Sequence, residues 1–506
     1  MKIKVRIKRL SRFVLAGLMT ISVNVMADSI DDFNNSWAGK ALGLQRTLDN
    51  QSPIIDNNIL GTHNTYNSEV YSSCNFSVGC RYADPQQKHS IKDQLRMGAR
   101  FIEIDIHWTL KQLSIFNYRY RLLMCHGICS IHDKYSTEGF SEIASWLNDS
   151  RNAGEVIILY VEDHSGGAGD LYGEINNYFG SKVYNSGGCK NIPDSLTKAQ
   201  VLAAGKQVVF WKDGGCSGNS NMANMAYTGL GNVGRIWEDS TTHGTINEFF
   251  NGGIESISAA DVKTAFATGG NIVNLDDMVT TDGRLAAGIW SWNTNEPNNS
   301  NNEDCAMQYS NGRWNDAQCG NYMNFACRKP GTHDWFVTVS PGPYSEGNAT
   351  CANEAPDYKF DAPTNSQDNE KLKAAKATKG ISNAWVNAND LASEGNWQIP
   401  GNNHQVSGNW SNSGGRSVTS SSNPRYILNL TEAASVEINL TSAVDTYLYL
   451  LDANGNQITY NDDGGTGYNS RLVQSLSAGS YILVAATYSS GQGGSFQLTV
   501  DKGDLQ

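Results

Sequence analysis

Beyond its first 27 residues, the 506-residue chain has no stretch approaching the roughly 20 consecutive apolar residues that a membrane span requires. No Cys-x-x-Cys pair occurs, which removes the usual thiolate zinc sites. Basic excess is also missing: charged residues make up 17% of the chain and the net charge is −12, which argues against nucleic acid or bulk anionic membrane as a general electrostatic partner. No glycine-rich phosphate loop follows the first apolar run, so a doubly wound nucleotide-binding sheet is disfavoured.

What is present begins with "MKIKVRIKRLSR", then apolar "FVLAGLMTISV" and "NVMA", the layout of a secretory signal peptide over residues 1–27. Its removal takes away six basic residues and no acids and moves the charge from −12 to −18. All ten cysteines follow it, an even number, so a disulfide framework is expected. Proximity pairs Cys74 with Cys80, Cys125 with Cys129 and Cys189 with Cys216, and leaves four cysteines for a later region. Acidic, Asn- and Gly-rich loops suit hard cations with oxygen ligands, and equally suit simple solubility.

Three composition zones divide the mature chain. Residues 28–292 contain eight apolar runs with helical signals between several of them: "IIDNNILGTHN", "ARFIEIDIHW", "YRLLMCHG", "EVIILYVEDH", "KQVVFWKD", "GRIWEDS", "NIVNLDDM" and "AAGIWSWN". Several runs are too apolar to have one wet face, as in parallel strands covered on both sides. Eight such repeats predict an α/β fold of the (β/α)8 TIM-barrel type, with its site at the C-terminal strand ends. Residues 293–400 form a loop-rich, cysteine-bearing α+β unit, and residues 405–506 carry short alternating runs predicting a small β-sandwich.

The barrel reading gathers His63, Asn64, Glu103, Asp105, His126, Glu162, Lys212 and Asp276 at one mouth. Two histidines on opposite sides of a phosphodiester can act as general base and general acid, and His63 and His126 fill those roles. Glu103 and Asp105, two apart on a strand, point to the same face. Three carboxylates brought together with Asn64 repel unless a cation neutralises them, and calcium suits these oxygen donors better than zinc. Lys212 is placed to meet a phosphate oxygen or to snorkel; Asp276 is placed to orient an imidazole or to form a turn.

"GTHNTYNS", "GARFIEIDIHW", "MCHG" and "VIILYVEDHS" resemble, in order and approximate spacing, the X-region motifs of phosphatidylinositol-specific phospholipase C. The Glu-x-Asp element and the Glu of "VEDH" resemble the calcium-dependent branch. The resemblance implies His63 and His126 as the catalytic pair, and Asn64, Glu103, Asp105 and Glu162 as calcium ligands. It implies attack of the inositol 2-hydroxyl on phosphorus, release of diacylglycerol and a cyclic phosphate intermediate. Related barrels cleave glycerophosphodiesters or sphingomyelin-type lipids, which is the alternative substrate class.

"NEPNNSNNEDCAMQYSNGRWNDAQCGNYMNFAC" resembles the second half of a C-type lectin domain. That resemblance implies a second calcium site on Glu296, Asn298, Glu303, Asn315 and Asp316, a glycan ligand, and a cis Glu296–Pro297 bond. The segment from Cys351 to Trp397 looks like the missing first half, so the unit reads as a permuted lectin-like domain with Cys305 joined to Cys319 and Cys327 to Cys351. The final stretch resembles the bacterial pre-peptidase C-terminal domain. These readings together describe a secreted monomer acting on phospholipid at a membrane surface, with a glycan-binding adhesin carrying an inactive barrel as the alternative of another class.

Overall fold

The computed structural model describes residues 29–505 apart from 74–79, 83–84, 128, 186–187, 217–218, 231–235, 239–256, 392–393, 401–404, 431–432 and 478. The expected signal-peptide segment and Cys74 of the expected Cys74–Cys80 pair lie outside the described residues.

The first zone is built on parallel strands β1 (Ile59–Thr62), β2 (Phe101–Ser114), β4 (Ile157–His164), β5 (Val208–Lys212), β6 (Ile236–Glu238) and β7 (Ile272–Leu275), in the order β5-β4-β2-β1-β7-β6. β3 (Asn117–Met124) is the antiparallel partner of β2. This corrects the expected third parallel strand: "YRLLM" is the returning arm of a hairpin, a distinction that apolar periodicity alone does not draw. The expected eighth strand, "AAGIWSWN", is not in this sheet. Among the described residues the sheet extends past β5 by two parallel bridges, Val208 to Val183 and Trp211 to Tyr227, and pairings that would close it into an eight-stranded barrel are not among them.

Strand alternation sorts the side chains into two layers. Ile102, Ile104, Ile106, Leu159, Val161 and Phe210 pack in one cluster with Phe140, Ile143, Leu147, Ile175 and Phe179 of the helices Ser136–Leu147 and Leu171–Phe179. On the other face Phe101, Ile158, Tyr160, Val209, Trp211 and Ile272 form a second cluster, with Phe101 to Tyr160 at 5.5 Å and Tyr160 to Trp211 at 4.7 Å between ring centroids. Residues of this inner parity nearer the strand ends change from apolar to ionisable.

The second zone is a sheet ordered β11-β10-β13-β8-β9: β8 is Cys305–Gln308, β9 Trp314–Ala317, β10 Asn324–Arg328, β11 Trp335–Val337 and β13 Ala384–Asn389. A short β12, Lys359–Phe360, pairs with β10. β13, from the segment following the cysteine-rich motif, sits between β8 and β10. Disulfides Cys305–Cys319 and Cys327–Cys351 border a core of Phe325, Tyr344, Phe360 and Trp385. Cys125–Cys129 and Cys189–Cys216 are also bonded as proximity implied.

The "IWSWN" run joins these two zones. Gln45, on the helix Trp37–Leu48, donates to Gly288 O at 3.0 Å, and its Oε1 accepts from Trp290 N and Ser291 N at 2.9 and 3.3 Å. Trp292 is fully buried against Trp314 and Trp397, at 5.8 and 4.6 Å. Asn369 ties the seam from the other side, donating to Trp290 O at 2.9 Å and Gly312 O at 2.7 Å. One apolar cluster therefore runs through both zones.

The last zone is a sandwich of two antiparallel sheets, from strands between Gln405 and Leu505, around Trp410, Leu428, Ile438, Leu450, Leu483 and Phe496.

Candidate active site

β1 ends at Thr62, and the next two residues place the first imidazole. His63 N donates to Leu275 O of β7 at 3.0 Å, and Gln87 Nε2 donates to both His63 O and Leu275 O at 2.7 Å. Asn64 then adopts φ +44°, a left-handed conformation that asparagine accepts more readily than most residues. The turn directs both side chains into the mouth, where His63 retains 9% exposure and Asn64 none.

The imidazole is held on both edges. His63 Nδ1 lies 3.0 Å from Asp276 Oδ1, just past the end of β7. With Nδ1–H donating to that carboxylate, Nε2 keeps its lone pair and receives Asn64 Nδ2–H at 3.1 Å. Glu103 Oε1 stands 3.9 Å from the same Nε2. Asp276, open between orienting group and turn in the sequence, thus sits where an imidazole-orienting carboxylate belongs.

β2 and β4 supply the acidic wall in register: Asp105 opposes Glu162, and His107 opposes His164. Glu103 and Asp105 are 3% and 1% exposed. Asn274 Nδ2 donates to Glu103 Oε2. Tyr66 OH donates to Asn64 Oδ1 at 3.0 Å, and Tyr160 OH to Glu162 Oε1 at 3.0 Å. Desolvation, and then the Glu162 charge, push the Asp105 carboxyl up to about 7. Burial and the nearby Asp105 charge raise Tyr66 well above the usual tyrosine range, so it stays a neutral donor.

Asp105 Oδ1 is buried with no hydrogen-bond partner among the described residues. Asp105, Glu162 and His164 offer ligand atoms within 4.8 Å of one another. An orphaned buried carboxylate oxygen, carboxylates in register, and a neutral amide oxygen linked through Tyr66 form a donor set that fits a hard divalent cation.

β3 runs antiparallel to β2, so its end returns to the mouth. Cys125 N donates to Asp105 O at 3.3 Å, and His126 follows directly, exposed, beside the Cys125–Cys129 disulfide. The hairpin, not a third parallel strand, delivers the second imidazole. Lys212 is different. Its partner in register is Val161, on the outer layer, and its ammonium is bound by Asp163 Oδ2 at 3.0 Å and by Asp213 O and Gly215 O. Strand alternation turns it away from the face carrying Glu103, Asp105 and Glu162, which corrects its assignment as a phosphate contact.

Tyr66, Asn274, His107 and His164 join the mouth without having been singled out in the sequence. The two histidine rings stack at 4.6 Å between centroids. The rule that paired Glu103 with Asp105 reaches both: "EIDIH" continues the alternation to His107, and "VEDH" to His164. Nothing in "NTYN" marks Tyr66 as a buried donor.

In the second zone Asn298 Nδ2 donates to Glu296 Oε2 at 2.6 Å, while Asp316 accepts from Asn298 N and Asn299 N at 3.1 and 2.6 Å. Burial, then the adjoining Asp316, push Glu296 up to about 7. Glu303 is raised by burial and by the Asp316 charge. The Glu296–Pro297 bond is cis. The Asn315 amide nitrogen turns to Asp316 O instead.

Comparison with known proteins finds similarity to two domain classes. Residues 18–176 match the family described as the Rv2075c PI-PLC-like domain, and residues 268–329 match the C-type lectin domain. The matched relatives include two proteins of Mycobacterium tuberculosis, "Uncharacterized protein Rv2075c" and "Uncharacterized protein MT2135", each 27% identical over 413 residues, covering 70% of this chain and 80% of theirs. Among solved structures, phosphatidylinositol-specific phospholipase C from Listeria monocytogenes aligns over 49% of this chain and 97% of its own, at 14% identity and a TM-score of 0.30. The pre-peptidase C-terminal domain of a Bacillus anthracis collagenase aligns over 20% of this chain and 89% of its own, at 16% identity and a TM-score of 0.16.

Proposed function

We propose that the chain is an exported, calcium-dependent phosphodiesterase of the phospholipase C type, cleaving phosphatidylinositol or a related inositol phospholipid to diacylglycerol and an inositol phosphate. The observation that carries this reading is His63, clamped between Asp276 on Nδ1 and Asn64 on Nε2, with Nε2 beside a buried acidic wall. The match to a PI-PLC-like domain supports it.

Asp276 fixes the tautomer and stabilises the imidazolium that forms when Nε2 takes a proton. The proton comes from the inositol 2-hydroxyl, whose oxygen bonds to phosphorus as the bond to the diacylglycerol oxygen breaks. His126 returns a proton to that leaving oxygen. Asn64, Glu103, Asp105 and Glu162 would hold calcium, which when bound neutralises charge on the phosphate. Asn274 keeps Glu103 turned toward His63, and Tyr66 keeps the Asn64 amide nitrogen turned toward Nε2.

The test compares phosphatidylinositol with phosphatidylcholine, sphingomyelin and glycerophosphoinositol, with calcium or a chelator. Phosphatidylinositol is the favoured substrate, and His63→Ala lowers turnover about 10²–10⁴-fold. Untouched phosphatidylinositol, or turnover surviving both chelator and the substitution, would sink the reading.

The Glu296, Asn298 and Asp316 cluster favours a second, additive role: a calcium-dependent glycan site in a permuted lectin-like unit, whose order is supported by β13 entering the sheet from downstream. Binding on a glycan array that Glu296→Gln leaves unchanged would remove this site.

A further inference from the structure

The β2–β3 hairpin goes well beyond what the sheet needs. Only residues 101–107 of β2 pair with β4; from Trp108 onward β3 is its one strand partner among the described residues, with the 131–133 segment touching it at Lys111 and Gln112, and the ribbon ends in a turn at Ile115 and Phe116. These two tip residues are 79% and 92% exposed. Leu110, Leu113, Tyr118 and Tyr120 behind them are exposed as well. Among the described residues this is a concentration of large apolar side chains that no other part of the chain covers.

The order of residues along the ribbon matches one kind of surface. Aliphatic and phenyl groups occupy the tip, and behind it the exposed Tyr118, Arg119, Tyr120 and Arg121 alternate, tyrosines on one face of the ribbon and arginines on the other. An apolar end backed by a mixed belt of tyrosine and arginine suits a bilayer interface, where acyl chains are met first and the headgroups with their phosphates behind them. No Asp or Glu occurs from Ile106 to His132, in a chain of net charge −12. A protein partner would select for complementary polar contacts at the rim; an acid-free arginine ribbon with an apolar end suits anionic lipid.

Register ties the ribbon to the candidate active site. Arg121 opposes Thr109 and Arg119 opposes Lys111, on the parity that continues from Glu103, Asp105 and His107. The arginines therefore extend the wall of the mouth, and a surface gripped by the tip lies on the mouth side of the domain.

We propose that the Ile115–Phe116 hairpin tip docks the protein on anionic phospholipid by inserting its apolar end, with Arg119 and Arg121 meeting lipid phosphates. This rests on the phospholipase reading for its purpose, but its test does not depend on catalysis.

The measurement is co-sedimentation of the full chain with vesicles of phosphatidylcholine doped with phosphatidylglycerol, a lipid chosen because it is not the proposed substrate. Wild type binds; Ile115→Ser combined with Phe116→Asn lowers the partition coefficient at least about tenfold. Asparagine is chosen for position 116 because its φ is +64°. Arg119→Ala and Arg121→Ala each weaken binding roughly fivefold and flatten its salt dependence. Hydrolysis of monomeric short-chain phosphatidylinositol stays at the wild-type rate in the tip variant. Vesicle binding equal to wild type in the tip variant overturns the docking role, as does tip-dependent self-association of lipid-free protein without vesicle binding. Lost hydrolysis of every inositol substrate by wild type, with tip-dependent vesicle binding intact, overturns the phospholipase reading alone.

Discussion

Asp105 is a carboxyl whose charge the surrounding protein opposes. Held up at about 7 against an ordinary value near 4, it binds a proton in the folded chain across a range where the unfolded chain has released it. The stability it contributes is complete below about pH 4 and is lost as pH rises through about 7. In chelator-treated protein, Asp105→Asn should therefore stabilise by roughly 2–4 kcal/mol at about pH 8 and by almost nothing near pH 4. Urea melts across that range check it, and an equal effect at both ends would refute the assignment of strain to this carboxylate. The same substitution should abolish any calcium-dependent rise in melting temperature. Glu103 and Asp105 were legible in the sequence because a period of two is a property of any strand. Tyr66 was not, because its hydroxyl matters only through Asn64, and that contact depends on the turn at Asn64.

β1 is short, and its centre is tightly confined. A methyl group on Gly61 would come within 2.9 Å of Phe101 Cβ and 3.0 Å of Asn274 Oδ1, the residue that steadies Glu103. Gly61→Ala should cost about 1–3 kcal/mol of stability by overpacking. Thermal melts report the stability loss, and turnover should fall beyond what the folded fraction explains if Glu103 is displaced. The strands facing this glycine were readable as apolar runs. Their direction was not: "YRLLM" has the hydrophobicity of a buried parallel strand and is the return arm of a ribbon. Lys212 erred by one register step, since its neighbour Trp211 carries the inner parity.

At the scale of the molecule, composition marked three zones, and the structure ties the first two together. Trp292 is buried between Trp314 and Trp397, and Gln45 and Asn369 grip the same run. Trp292→Ala should destabilise by about 3–5 kcal/mol, with tertiary signals from both zones lost in one transition. Truncation near residue 400 should leave that pair folded, because the sandwich has its own apolar core, whereas truncation near residue 292 should not. Limited proteolysis and circular dichroism of the two truncated chains distinguish these outcomes. "IWSWN" was legible as apolar; that its tryptophans fill a seam depends on residues 314, 369 and 397, remote in sequence.

The place of β13 bears on how the chain is made. β8 ends at Gln308 and β10 at Arg328, yet the strand that lies between them begins at Ala384. During synthesis both older strands leave the ribosome with their facing edges unmatched, and open strand edges invite pairing with other chains. The Cys305–Cys319 and Cys327–Cys351 bridges involve only residues that precede Ala384, so both can close before that strand has docked. Oxidation can thus pin the two halves while the gap waits for its last strand, and a reducing compartment would leave the nascent chain exposed to aggregation for that interval.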